Sequence, residues 1–184
     1  MKSRTKDIVL VALTVALTSA GAYLRIPIGP VPITLQTFFV LLSGAVLGPL
    51  LGATAMFAYL VLGLAGLPVF TSGGGPQYIL SPTFGFLLSF PLASAVVGLV
   101  LRGEGPKVHR RRIGAAMFLG TFLIYLVGVP YLGLNLKWIQ HKEVGTRAVI
   151  MMGMIPFLPG DLLKILFGTW VVPPILRVIK DLRP

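Results

Sequence analysis

Cysteine is absent from the 184 residues, so neither a disulfide nor a thiolate metal site is available to this chain. Histidine is nearly absent: His109 and His141 lie far apart in polar stretches, which argues against an imidazole metal centre. Acidic residues number only five, and Asp161 alone falls within an apolar run. A relay of membrane carboxylates, as proton-driven pumps use, therefore cannot be assembled. There is no Walker A pattern and no HExxH. The chain holds no nucleotide-hydrolysing machinery of its own. Charged residues of either sign make up 11%, against about 25% in a soluble domain. That leaves too little polar surface to face water.

What fills the space is apolar. Hydrophobic residues make up 55%, and mean hydropathy is +0.91. Lipid tolerates such a surface where water does not. At roughly 20 residues per spanning helix, the length leaves room for six spans and short connections. The expectation is an all-α polytopic membrane protein: one bundle over 1–184, six transmembrane helices, both termini cytoplasmic, in the cell membrane.

Pro, Gly and charge mark the boundaries. An uncharged run from Ile8 to Leu24 follows Lys2, Arg4, Lys6 and Asp7. It resembles a signal peptide with a cleavage site near Ala20 and Ala22, but is long for one, so it reads as a retained first helix. Further spans are expected over Leu35–Leu47, Leu51–Leu67, Pro82–Leu101 and Ile113–Val129, the last stopped by Pro130. A sixth begins near Phe157, after a break at Pro156, Pro159 and Gly160, and runs to Leu176.

Six spans sort the 16 Lys and Arg unevenly. The side holding both termini carries eleven: Lys2, Arg4, Lys6, five in the 102–112 segment, Arg177, Lys180 and Arg183. The other side carries four: Arg25, Lys137, Lys142 and Arg147. Lys164 stays within the last span. The bias puts the termini on the cytoplasmic side. It also explains the net charge of +11 as topology signal and headgroup contact, without nucleic acid. Tyr59-Leu60-Val61 and Tyr125-Leu126-Val127 recur on spans of like direction, so they do not form an inverted repeat.

Four features could carry chemistry. Asp161 and Lys164, three apart, share one helix face. At mid-membrane each would cost about 2.5–3.5 kcal/mol, which drives the pair toward the bundle interior. Together they present an acceptor and a donor to a polar ligand. The plain alternative is an anion in a first helical turn, where the dipole favours it, with Lys164 as its neutraliser. Second, the external loop Thr71-Ser72-Gly73-Gly74-Gly75-Pro76-Gln77-Tyr78, leading to Ser81, Pro82 and Thr83, offers glycine backbone and hydrogen-bonding side chains, or else a flexible link. Third, Ala12, Ala16 and Ala20 form a small-residue stripe on the first helix, suited to a partner helix or to packing within the chain. Fourth, Pro27, Pro30 and Pro32 stiffen the first external loop, which would cap a site or simply connect. Tyr125 is either core or a hydroxyl reaching a ligand.

Four stretches together resemble the BioY family, the biotin-specific substrate-binding (S) components of energy-coupling-factor (ECF) vitamin transporters. They are Pro27 to Thr37, Gly66 to Phe70, the glycine loop through Gly85, and Pro159-Gly160-Asp161-Leu162-Leu163-Lys164. The resemblance covers nearly the whole chain. It implies a six-helix fold with a vitamin pocket near the outer face and no enzyme activity or cofactor, biotin being the transported substrate. It implies that the alanine stripe docks on a transmembrane coupling subunit driven by two ATPase subunits. Biotin carries a ureido ring with two N–H groups and a C=O, an apolar sulfur ring and a carboxylate tail. On this reading Asp161 accepts from the ureido N–H groups, and Lys164 or Gln77 donates to its oxygen. The tail meets backbone at Gly74, or Ser81 and Thr83. Tyr78, Phe84 and Tyr125 pack the ring. The reversed pose, with Lys164 on the carboxylate, stays open. So does a stand-alone secondary transporter or small channel for a vitamin-like solute. An intramembrane enzyme lacks a nucleophile with a base.

Overall fold

The computed structural model describes residues 2–27 and 29–182. Helix α1 (Lys2–Tyr23) leads into a two-stranded antiparallel hairpin, β1 (Arg25–Ile26) and β2 (Ile33–Thr34). Helices α2 (Gln36–Leu47) and α3 (Pro49–Leu64) follow, separated by Gly48 alone. Gly48 has φ of 83°, a left-handed value that favours glycine, and Pro49 then opens α3 with its φ already helical. A 3-10 turn (Pro76–Leu80) precedes α4 (Phe84–Leu88) and α5 (Phe90–Val100). The long α6 (Arg110–Trp138), the short α7 (Thr146–Gly153) and the final α8 (Leu158–Leu182) complete the chain.

Among the described residues, three apolar helical stretches are long enough to cross a membrane: Arg4–Tyr23, Arg110–Trp138 and Thr146–Ile179. The other three, Gln36–Leu47, Pro49–Leu64 and Phe84–Val100, are shorter. The 12 residues of α2 span only about 18 Å. This helix lies against α1, α3, α5, α6 and α8, so it is sheathed by neighbours. Its Phe38, Val40, Leu41, Ala45 and Leu47 are buried. Large apolar side chains elsewhere face outward, among them Leu50, Phe57, Phe118 and Phe167. A surface of that kind suits lipid contact.

The two ends of the bundle can be told apart by contacts. At one end, Gly98 presses on the backbone of Gly48 and Pro49. There too the first half of α1 (Leu10, Leu13) shares a groove with Leu47 of α2 and with Ile175 and Ile179 of α8. Arg112 pairs with Glu104 and donates to the Val100 carbonyl at 3.1 Å, fastening the α5–α6 loop at this end. At the other end, Tyr23 donates to the Pro68 carbonyl, and Tyr131 to that of Ile79. The start of α1 and the finish of α8 thus share an end with the cationic 102–112 segment.

One proline expectation is corrected. Pro130 does not stop its helix: α6 runs through it to Trp138 and takes in Asn135. Pro130 deletes one backbone donor, a loss that a 29-residue helix held by its neighbours sustains. Helix α8 passes the expected end at Leu176 to reach Leu182, with Pro173 and Pro174 inside it. The fourth stretch, expected as one span from Pro82, is divided at Ser89, where Pro91 starts a new helix.

Candidate functional site

Asp161 sits in the first turn of α8, three residues before Lys164. Leu162 and Leu163 between them are 55% and 67% exposed, on the outward face. Asp161 is 7% exposed and points inward. Lys164 Nζ donates to Asp161 Oδ1 and to Thr37 Oγ1, each at 2.9 Å. Tyr125, from α6, donates its hydroxyl to Asp161 Oδ2. Three helices therefore converge on one carboxylate: α8 supplies it, α6 a phenol, and α2 a threonine that steadies its cation.

These groups open on a cavity of about 580 Å³, its mouth included. The hairpin contributes Val31, Pro32 and Thr34; α2 contributes Gln36 and Thr37. The remaining wall is mostly apolar: Phe86, Leu87, Phe90, Ile124 and Phe157, with Thr121 low on α6. Arg25 holds the hairpin down by donating to the Thr71 carbonyl. The proline-stiffened first loop is thus part of the cavity's cover.

A second polar group borders the cavity through Thr71 and Thr83. The Thr71 and Tyr78 hydroxyls share a hydrogen bond of 2.8 Å, and Thr83 donates to Tyr78 at 3.2 Å. Ser81 and Thr83 hydroxyls lie 2.9 Å apart. The arrangement offers an ionic and a hydroxyl-lined region, with apolar walls between contributing elements. A ligand with a polar ring, an apolar body and a polar tail matches those surfaces.

Of the residues named from the sequence, Asp161, Lys164, Tyr125 and Thr83 line the cavity. Tyr78 and Ser81 stand behind Thr83 as its hydrogen-bond partners. Gln77, Gly74 and Phe84 are not brought to the cavity. Gln77 is turned outward, its amide donating to the Gly74 carbonyl at 2.8 Å. Gly74 is packed against the Leu67 carbonyl so closely that a Cβ would lie 2.1 Å from it. Gly75 N–H donates to the Gly63 carbonyl at 2.7 Å. The glycines serve close packing of the loop on the end of α3. Phe84 stacks edgewise on Tyr131, with ring centroids 5.9 Å apart. Ala12, Ala16 and Ala20 are all exposed, so this face of α1 is left uncovered by the chain itself.

Sequence reasoning missed Gln36, Thr37, Thr34, Thr71 and Thr121. The first three lie in or beside the Pro-Val-Pro-Ile-Thr-Leu-Gln-Thr stretch, whose polar residues in an apolar context were the available signal. Among the described residues, no three metal-ligating side chains (His, Cys, Asp, Glu) come together.

Comparison with known proteins adds a family. The sequence model of the BioY family matches residues 1–181. A probable biotin transporter BioY of Lysinibacillus sphaericus is 36% identical over 181 residues, covering 97% of this chain and 91% of the relative. Another, from Pyrococcus horikoshii, is 40% identical over 162 residues, covering 88% and 90%. The biotin transporter BioY of Thermotoga maritima is 37% identical over 167 residues, covering 90% and 93%. Among solved structures, the S-component for biotin from an ECF-type ABC transporter superposes with a TM-score of 0.80 at 25% identity, covering 97% of this chain and 93% of that one.

Proposed function

The chain belongs to the BioY family, and from that premise we propose that it is the biotin-binding S component of an ECF-type vitamin uptake transporter. It resides in the cell membrane, captures biotin with high affinity, and hands it to an ATP-driven module. It catalyses no reaction and uses no cofactor. Its partners are a transmembrane coupling subunit and two ATPase subunits.

One observation carries the reading: the inward-facing Asp161–Lys164 pair, tied to Tyr125 and Thr37, opens on a cavity with a largely apolar wall. A carboxylate and an ammonium are expensive inside a bundle unless both are satisfied. Here the Lys164 ammonium uses two of its three donors on protein groups, leaving capacity for a ligand oxygen. Each Asp161 oxygen has one described donor and can accept another. Biotin's ureido ring offers both complements, and its apolar ring fits the aromatic wall of Phe86, Phe90 and Phe157. Its carboxylate tail would meet the hydroxyls of Thr71 and Thr83, with Tyr78 and Ser81 supporting them.

The test is calorimetry on detergent-solubilised protein. Asp161→Asn and Lys164→Met each remove a charged partner, a loss of about 1.5–3 kcal/mol, so biotin affinity should fall by about 10–150-fold. Unchanged binding in both variants would refute the assignment.

A further inference from the structure

Gln36 opens α2, lines the cavity and is 3% exposed. Its Nε2 donates to the Tyr59 hydroxyl, and that hydroxyl donates to the Val69 carbonyl at 2.8 Å. The direction of this chain follows from hydrogen counting. A carbonyl only accepts, and a phenol has one hydrogen, which Val69 takes. The phenol oxygen therefore faces Gln36 as an acceptor. Only the NH₂ end of the amide satisfies it. The opposite rotamer would set Oε1 against phenol lone pairs with no hydrogen between them. Gln36 Oε1 is thus directed away from Tyr59, and among the described residues no donor reaches it. A buried acceptor without a donor is costly, and a ligand N–H in this cavity would relieve that cost.

We propose that Tyr59 is a positioning residue that fixes the Gln36 amide with Oε1 presented to the ligand, so that Gln36 selects a ligand bearing an N–H there. The proposal rests on the biotin reading of the same cavity, and it assigns one ureido N–H to Gln36. It gives the cavity a neutral acceptor in addition to the Asp161 carboxylate, whose oxygens already serve Tyr125 and Lys164. Tyr59 is itself held without freedom. It is fully buried, edge-on to Phe70 at 5.3 Å and stacked with Phe90 at 6.4 Å. Its partner Val69 lies in the loop after α3, so that loop's placement sets the polarity of the Gln36 amide.

The experiment compares biotin with the two cyclic-carbamate analogues in which one or the other ureido N–H is replaced by ring oxygen. Calorimetry is run on wild type, Tyr59→Phe, Gln36→Leu and the double variant. Wild type should prefer biotin over one of the two carbamates by about tenfold or more, the worth of one hydrogen bond with an opposed oxygen in its place. Tyr59→Phe keeps the ring but frees the amide to turn, and should shrink that preference by about tenfold. Gln36→Leu should do the same, and adding Tyr59→Phe to it should change the preference no further. If Tyr59→Phe lowers affinity for all three ligands by one common factor, Tyr59 is merely structural and the proposal fails. Should that variant not fold, an unchanged preference in Gln36→Leu overturns the proposal as well. If wild type binds no biotin, the functional reading itself falls, and the proposal with it; binding without discrimination overturns the proposal alone.

Discussion

Tyr125 on α6 donates its hydroxyl to Asp161 on α8, and that bond joins two helices that also pack against each other. It gives the carboxylate a neutral donor on one oxygen while Lys164 holds the other. A carboxylate so placed has its orientation fixed before any ligand arrives.

Tyr125→Phe should therefore weaken biotin binding without abolishing it. The variant removes one hydrogen bond to a charged acceptor and nothing of the ring packing against Phe86, whose centroid lies 6.5 Å away. A loss of about 1.5–2 kcal/mol corresponds to about 10–30-fold in dissociation constant. Calorimetry at one pH and salt suffices. An affinity within twofold of wild type would mean that Asp161 is held without Tyr125.

The ion pair makes a second, non-additive prediction. Removing either member leaves the other buried and unpaired, at about 3–5 kcal/mol. Replacing both with apolar side chains of similar size is far milder. In the absence of biotin, Asp161→Leu combined with Lys164→Met should recover most of the melting temperature lost by either single change. Biotin binding should stay lost in the double variant. Recovery of stability without recovery of binding separates the ligand's use of the pair from the fold's; parallel behaviour of the two would count against ligand contact.

Much of this was legible before any coordinates, and what was not has physical causes. The inward direction of Asp161 and Lys164 follows from their cost in lipid, and Leu162 and Leu163 between them indeed face out. The all-helical class followed from hydropathy. Pro130 misled because membrane helices tolerate proline where neighbours hold them. Gln77 and Gly74 misled because composition marks a loop as able to bind but not which way it folds. A Cβ-free contact between Gly74 and Leu67 decides that here, and nothing local in the sequence encodes it. Gln36 and Thr37 were quoted for the resemblance, yet their place on the cavity wall depends on α2 meeting α8, a long-range contact.

Glycine packing supplies a third prediction. Gly128 of α6 lies flat against Phe86, where a Cβ would approach the ring to 2.2 Å. Phe86 is a cavity wall. Gly128→Ala should thus push that ring inward or split the helices, costing about 1–3 kcal/mol in overpacking. Biotin affinity should fall several-fold along with the melting temperature. Gly160→Ala is the control: a Cβ there meets nothing within 4 Å, although it adjoins Asp161, so binding should persist. Equal effects of the two substitutions would show that cavity shape at Phe86 is unimportant.

The alanine face of α1 separates capture from transport. Ala12, Ala16 and Ala20 are exposed and lie away from the cavity lining, so enlarging them disturbs neither core nor ligand site. Small residues matter on a helix surface when another helix must come close, because each added methylene holds the backbones apart. Ala16→Trp should leave biotin affinity unchanged in the isolated chain. Reconstituted with a coupling subunit and its two ATPases, the same variant should lose most ATP-dependent biotin uptake, and the coupling subunit should no longer copurify. Wild type alone in vesicles should bind biotin but not accumulate it along an ion gradient. If Ala16→Trp transported normally with the module, the docking surface would have to lie elsewhere on the bundle. Accumulation by the chain alone would favour a self-sufficient transporter, for which the Asp161–Lys164 ion pair would then have to suffice.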